Sequence, residues 1–379
     1  MAEPRDEVQA ARWSGGRSAR RRAVTTSVLS VGLNAVVLAG CASTDDGSQR
    51  RPTPSPPSAS AQQMVHLLES VLPEGELSGQ RGNGVVRGDK PGLPPSAELV
   101  FGDGPRAAKV TVKLNRYPVP VPALLSQCPS TAYYPYSCCT QKTLAGGARL
   151  VADESPQEVD KSSGAKVYSA LLTFDDGRQV AVFESGSPNG RATTKDSALP
   201  LSLDQVSAIA TSQVWRPVFS AMTAPRSGDP GAGSTPRMSG AQISGTIEQL
   251  LPPGLPASNK GGSEGFGYVV VDDGRGKSLV AVNVQRWQTH DPDMTDLFRK
   301  ADTLPDGTRV SITKGAPDDG GERAIEWCVD TFRTDGLRVA ISALNAPAYP
   351  LSATREEPAL TTRQLQQIAL DPAWRRASR

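Results

Sequence analysis

The sequence predicts an α+β fold written twice in tandem, each copy an antiparallel sheet with an N-terminal and a C-terminal helix packed on one face. Three observations lead there. Segments of helical periodicity open and close each half of the chain. Between them lie alternating apolar runs hinged on Asp-Gly pairs, residues suited to the positive φ of primed hairpin turns. The blocks also occur in the same order in both halves, and chance does not reproduce such an order over four blocks.

The first block is a helix. Met64–Pro73 (MVHLLESVLP) matches Ile243–Pro252 (ISGTIEQLLP), with Met64, Leu68, Val71 and Leu72 on one stripe and Ile243, Ile247, Leu250 and Leu251 on the other. Such a stripe must be buried, and a sheet with one apolar face offers the surface. The second block is a hairpin. Phe101-Gly102-Asp103-Gly104 leads into KVTVKLNRY as Val271-Asp272-Asp273-Gly274 leads into LVAVNVQRW, so that Val110, Val112 and Leu114 alternate like Val280, Val282 and Val284. The third aligns Leu144–Gly147 with Leu304–Gly307. The fourth runs from Tyr168 to Trp215 and from Trp327 to Trp374. It holds a second hairpin, turning at Asp176-Gly177 and Asp335-Gly336, with strands through Val180 and Val182 or Val339 and Ile341. A closing helix starts at Ser202-x-x-Gln205 and Thr361-x-x-Gln364, two capping boxes, and ends near Trp215 or Trp374. Each copy thus reads helix, four or five strands, helix. Copy one covers 62–222 and copy two 239–379, joined by a Gly/Pro/Ser linker over 223–238.

The chain of 379 residues carries a formal net charge of only +2. Its first forty residues hold Arg5, Arg12, Arg17, Arg20, Arg21 and Arg22, and beyond them basic and acidic residues nearly cancel. A near-neutral body without a basic face argues against a nucleic-acid partner. The apolar run Ala23–Ala39 is interrupted by Thr25, Thr26, Ser27, Ser30 and Asn34 and falls short of the roughly 20 residues of a bilayer span. A basic region followed by a short apolar one reads as a signal peptide over 1–40.

That run ends in Leu38-Ala39-Gly40-Cys41, which resembles the lipobox of bacterial lipoproteins. The resemblance implies diacylglyceryl transfer to Cys41, cleavage before it, and attachment to the outer face of the cell membrane. Arg21-Arg22 also resembles a twin-arginine export signal, though Ala23-Val24 stand where that family has Phe-Leu, so a general secretory route stays open beside it. Residues 41–61, with Pro52, Pro54, Pro56 and Pro57, read as a disordered tether whose polyproline-like geometry at ~3.1 Å per residue reaches about 60 Å. With its repeat endings (PALTTRQLQQIALDPAW in copy two), the whole chain resembles secreted lipoproteins of uncharacterised function from actinobacteria of the Streptomyces type. The resemblance supplies a location but no ligand or active residue.

Copy one differs by two insertions, one before its second strand and one across Pro118–Lys142. The latter carries Cys128, Tyr133, Tyr134, Tyr136, Cys138 and Cys139. Outside the cytoplasm these thiols can oxidise, and Cys128 with Cys139, or with Cys138, would close a short loop. Cys328 reads as a buried free thiol. Tyr133, Tyr134 and Tyr136 are a candidate binding surface, because tyrosine gives large contact area at low entropic cost; the same rings could equally pack beneath a stapled loop.

The remaining chemistry is thin. His66 lies on the first helix between apolar positions, and His290-Asp291-Pro292-Asp293 lacks a second ligand cluster. Gly261-Gly262-Ser263-Glu264-Gly265 spells a hydrolase elbow, but that motif needs a strand before the serine and a helix after it, and here a strand (FGYVVV) follows. No phosphate loop, dinucleotide fingerprint or zinc-ligand spacing appears. The expectation is therefore a non-enzymatic tandem-domain binding or scaffolding protein of the cell envelope, without cofactor or metal. Its partners would be the bilayer, through the Cys41 lipid, and an envelope protein or small ligand. A sensor paired with a membrane signalling partner, or an exported hydrolase, is the alternative.

Overall fold

The computed structural model describes residues 59–85, 93–186, 198–223, 238–318 and 320–377. The leader, Leu38–Cys41 and the tether up to residue 58 lie outside the described residues. Both copies belong to one packed unit, Pro57–Arg379.

Copy one runs α1 (Ala61–Glu69), β1 (Leu77–Asn83), β2 (Ser96–Phe101), β3 (Ala108–Arg116), β4 (Cys138–Thr143), β5 (Arg149–Pro156), β6 (Lys166–Thr173), β7 (Arg178–Ser185), α2 (Leu203–Thr211) and α3 (Arg216–Ala221). Copy two follows with α4 (Gly240–Leu250), β8 (Ala257–Ser263), β9 (Phe266–Asp272), β10 (Lys277–Arg286), α5 (Pro292–Leu297), β11 (Asp302–Thr303), β12 (Arg309–Gly315), β13 (Glu326–Phe332), β14 (Leu337–Leu344), α6 (Thr362–Leu370) and α7 (Ala373–Ala377). The sheets are ordered β1-β2-β3-β7-β6-β5-β4 and β8-β9-β10-β14-β13-β12-β11, the same topology in both copies. Register repeats too: Val112 pairs with Val182, and Val282 with Ile341.

Each sheet has seven strands rather than four or five. The reason is local: β1 (LSGQRGN) and β8 (ASNKGGS) have no apolar alternation and are largely exposed. They are held by backbone pairing to β2 and β9, and a polar edge resists edge-to-edge association.

The helices cover one face. In copy one Met64, Leu68, Val206, Ile209 and Trp215 pack on Leu99, Val112, Leu150, Leu172 and Val182. Ile243, Ile247, Leu365, Ile368 and Trp374 do the same over Val271, Val282, Val329 and Ile341. The two tryptophans are equivalent and fully buried, and their indole N–H groups donate to the carbonyls of Ile209 and Ile368 at 2.8 and 2.7 Å. Capping boxes start α2 and α6 at Ser202/Gln205 and Thr361/Gln364. They also start α1 and α4, at Ser60/Gln63 and Ser239/Gln242. At the second hairpin Gly177 and Gly336 have φ of +87° and +80°, and a Cβ there would meet the carbonyl oxygens of Tyr117 and Trp287 at 2.1 and 2.3 Å. Only glycine fits that approach.

Candidate functional site

The other face of each sheet is covered by the segment joining its third and fourth strands. In copy one the residues between β3 and β4 fold back over β5–β7. Thr173 Oγ1 and Gln179 Nε2 donate to the Leu125 carbonyl at 3.0 and 2.9 Å, and the Ser137 hydroxyl donates to Asp153. A Cys128–Cys139 disulfide, Cα–Cα 5.7 Å, ties the segment to β4. Cys138, one residue earlier, points to the opposite side of the strand and is an exposed free thiol. In copy two α5 takes this place, setting Met294 and Phe298 against Phe332.

The copy-one segment then reaches copy two. Tyr133 stacks on Tyr349 with centroids 4.6 Å apart and planes within 8°, and meets Phe266 at 5.7 Å. Tyr349 N–H donates to the Ala132 carbonyl at 2.8 Å, and the hydroxyls of Thr131 and Tyr268 are hydrogen-bonded. Tyr349 is set by its own copy: its hydroxyl lies 3.1 Å from Ser342 Oγ, and Asn345, just after β14, pins the following loop by donating to the Arg355 carbonyl (3.0 Å) while accepting the N–H of Ile325, just before β13 (2.7 Å). The three candidate tyrosines therefore have different surroundings. Tyr133 is a joint between the copies, Tyr134 is half-buried, and Tyr136 alone of the three is exposed. The Tyr133 ring packs on the sheet of the other copy, where apolar area and a stacking partner are available.

On the same face of the copy-two sheet lies a buried ionic set that the sequence reading missed. Arg338 grips Asp330 with Nε at 3.1 Å from both carboxylate oxygens and Nη2 at 2.7 Å, and its Nη1 donates to Gln285 at 2.8 Å. Burial pushes the Asp330 carboxyl above its ordinary range, while Arg338 pulls against it. Burial likewise pushes the neighbouring Cys328 thiol well up, which keeps it in the unreactive form. The equivalent residues of copy one are neutral: Leu171 and Gln179, with Asn115 Nδ2 donating to Gln179 at 3.2 Å. Comparing the copies residue by residue, rather than by insertions alone, would have flagged this exchange.

A second buried acid lies on the helix side of copy one. Glu184 has no exposed surface; one oxygen accepts the Leu201 N–H at 3.0 Å and the other has no partner. Burial raises its pKa to about 7, against the opposing pull of the Leu201 N–H. Copy two has Ala343 there.

An open groove of about 810 Å³ at the end of copy one is lined by Leu144, Phe174, Trp215 and Phe219 with Arg116 and Arg178. The guanidinium groups of Arg116 and Arg178 are engaged within the fold. Arg116 donates to the Phe219 and Met222 carbonyls, and Arg178 pairs with Asp176 at 2.8 Å while lying over Phe174. His66 and His290 are exposed, and Asp291 caps α5 through the Asp293 and Met294 N–H groups. Among the described residues no cluster of three or more His, Cys, Asp or Glu could hold a metal ion. Ser263 ends β8 and is followed by a hairpin into β9, so the elbow geometry is absent at that serine.

No family model matches the chain, and no curated protein matches it. Among solved structures it is similar to MucB in complex with MucA(peri), at 11% identity and a TM-score of 0.17, over 82% of this chain and 97% of that one. The MucA/MucB complex of Pseudomonas aeruginosa gives the same values. The di-domain ARO/CYC protein StfQ of the steffimycin biosynthetic pathway follows at 9% identity and a TM-score of 0.12, over 76% and 81%. Likeness at this level assigns no role. Among the described residues no helix is long and apolar enough to cross a membrane.

Proposed function

We propose that this chain is a non-enzymatic binding or scaffolding protein of the cell envelope, held at the outer face of the membrane by a lipid on Cys41. The observation that carries the reading is the Cys128–Cys139 disulfide. It closes the segment whose Thr131–Tyr133 stretch joins the copies, and structural disulfides persist in oxidising compartments rather than the cytoplasm. The buried ions fit the same role: Asp330 and Arg338 neutralise each other within the fold instead of facing a cavity. A lipobox at Leu38–Cys41 and a proline-rich tether would hold such a rigid pair of domains near the membrane but clear of it.

Metabolic palmitate labelling of the full chain tests this. Label and membrane association are expected in the wild type and lost in Cys41→Ser. Retention of both in Cys41→Ser overturns the anchored reading.

A further inference from the structure

Duplication lets one copy serve as a template for what the other lacks. In copy one, β4 pairs with β5 over six residues, Cys138–Thr143 against Arg149–Glu154. In copy two, β11 pairs with β12 only at Asp302 and Thr303, opposite Val310 and Arg309. Part of the excess length in Pro118–Lys142 is therefore a longer edge strand, four residues of which copy two does without. Past Val310 the outer edge of β12 has no second ladder among the described residues, and Ile312 to Gly315 are all exposed. Ile312 is 47% exposed, whereas its copy-one equivalent Ala152, lying under β4, is 6% exposed.

The direction of the backbone groups follows from the hairpin bonds. Leu144 N–H donates to the Ala148 carbonyl at 2.8 Å, and Leu304 N–H to Thr308 at 2.9 Å. Hydrogen-bonded pairs alternate along an antiparallel ladder, so Ala152 and Glu154 face β4 with both polar groups, and Ile312 and Lys314 face outward in the same way. Open outward groups beside an exposed β-branched residue form a template for another strand.

We propose that this edge, Ser311–Gly315, takes up an extended segment of a partner protein, added antiparallel where β4 lies in copy one. The proposal rests on the reading of the chain as a binding protein, and names the form of its partner. The occupant is specified by the cross-strand positions that β4 supplies. Thr140 opposes Ala152, so an apolar or β-branched residue belongs opposite Ile312. Cys138 opposes Glu154, the equivalent of Lys314, so an acidic residue belongs opposite Lys314. The Lys314 ammonium lies over the ring of its β13 neighbour Trp327 at 3.9 Å, which orders the side chain and keeps a positive charge at this end of β12.

The test is titration of the full chain with a labelled peptide copying residues 136–141 and carrying Cys138→Glu, Cys139→Thr and Thr140→Val. Saturable binding is expected. N-methylation of the valine, whose N–H would point at β12, should weaken it about tenfold, whereas N-methylation of the preceding threonine should leave it unchanged. Lys314→Glu should weaken the acidic peptide about fivefold, and exchanging the peptide's glutamate for lysine should restore it. In the free chain, the Ile312 and Lys314 amides should exchange with solvent faster than those of Ser311 and Thr313. The proposal is overturned by absence of saturable binding, by binding indifferent to which amide is methylated, by protected Ile312 and Lys314 amides, or by self-association of the chain through this edge. A chain that takes palmitate but not peptide lacks the strand site alone; one that binds peptide without taking palmitate lacks the anchor alone.

Discussion

Glu184→Gln should change how the stability of the chain responds to pH. Glu184 has no exposed surface, and only one of its oxygens has a partner, the Leu201 N–H at 3.0 Å. Burial raises the native pKa to about 7 from 4.5. Below pH 4.5 native and unfolded chains both hold the proton, and the residue has no pH-dependent effect. As pH rises from there the unfolded chain releases its proton first, so native stability falls until the native carboxyl has ionised as well, above pH 7. A difference of about 2.5 pKa units at 1.36 kcal/mol each makes the full loss about 3 kcal/mol. Gln keeps the acceptor for Leu201 and cannot ionise. Urea unfolding at intervals between pH 4.5 and pH 8.5 should therefore show wild type and Glu184→Gln converging at the acid end and separating by about 3 kcal/mol at the alkaline end, with the variant more stable. Parallel curves would refute the reasoning, since they would mean that the carboxylate is solvated and titrates normally.

Asp330→Asn leaves the Arg338 guanidinium buried without a counter-charge and should cost about 3–5 kcal/mol in the same assay. Installing the copy-one pair, Asp330→Leu with Arg338→Gln, should recover most of that loss, and a double variant no better than the single one would contradict the exchange argument. At the joint, Tyr133→Ala and Tyr349→Ala should couple by about 1 kcal/mol in a double-mutant cycle. A coupling of zero would show that the two rings do not meet in solution.

Features that depend on near neighbours were legible in the sequence. Asp-Gly turns, capping boxes and alternating valines each state their structure within a few residues, and their repetition in order revealed two like domains. The edge strands β1 and β8 were not legible, because backbone pairing alone makes them strands and LSGQRGN has no apolar pattern to detect. Burial of the far face was hidden for a related reason. Asp330, Arg338 and Gln285 look like the polar side of a half-exposed sheet, and only the chain folded over them turns that polarity inward. The candidate site was the least legible part. The tyrosines and cysteines of copy one drew attention, but the partners of Tyr133 are Phe266 and Tyr349, far along the chain, and nothing local links them.

The joint has a direction. Copy one contributes Thr131–Tyr133 and copy two contributes Phe266, Tyr268 and Tyr349, so the contact is heterologous, of the kind that extends into a filament when every unit carries both halves. Copy two carries one half only. Its own connection between β10 and β11 is folded inward, with Met294 and Phe298 against Phe332, and offers nothing to a further unit. The difference between the two connections thus makes the joint one-way: copy one supplies the inserting segment, copy two the surface that receives it.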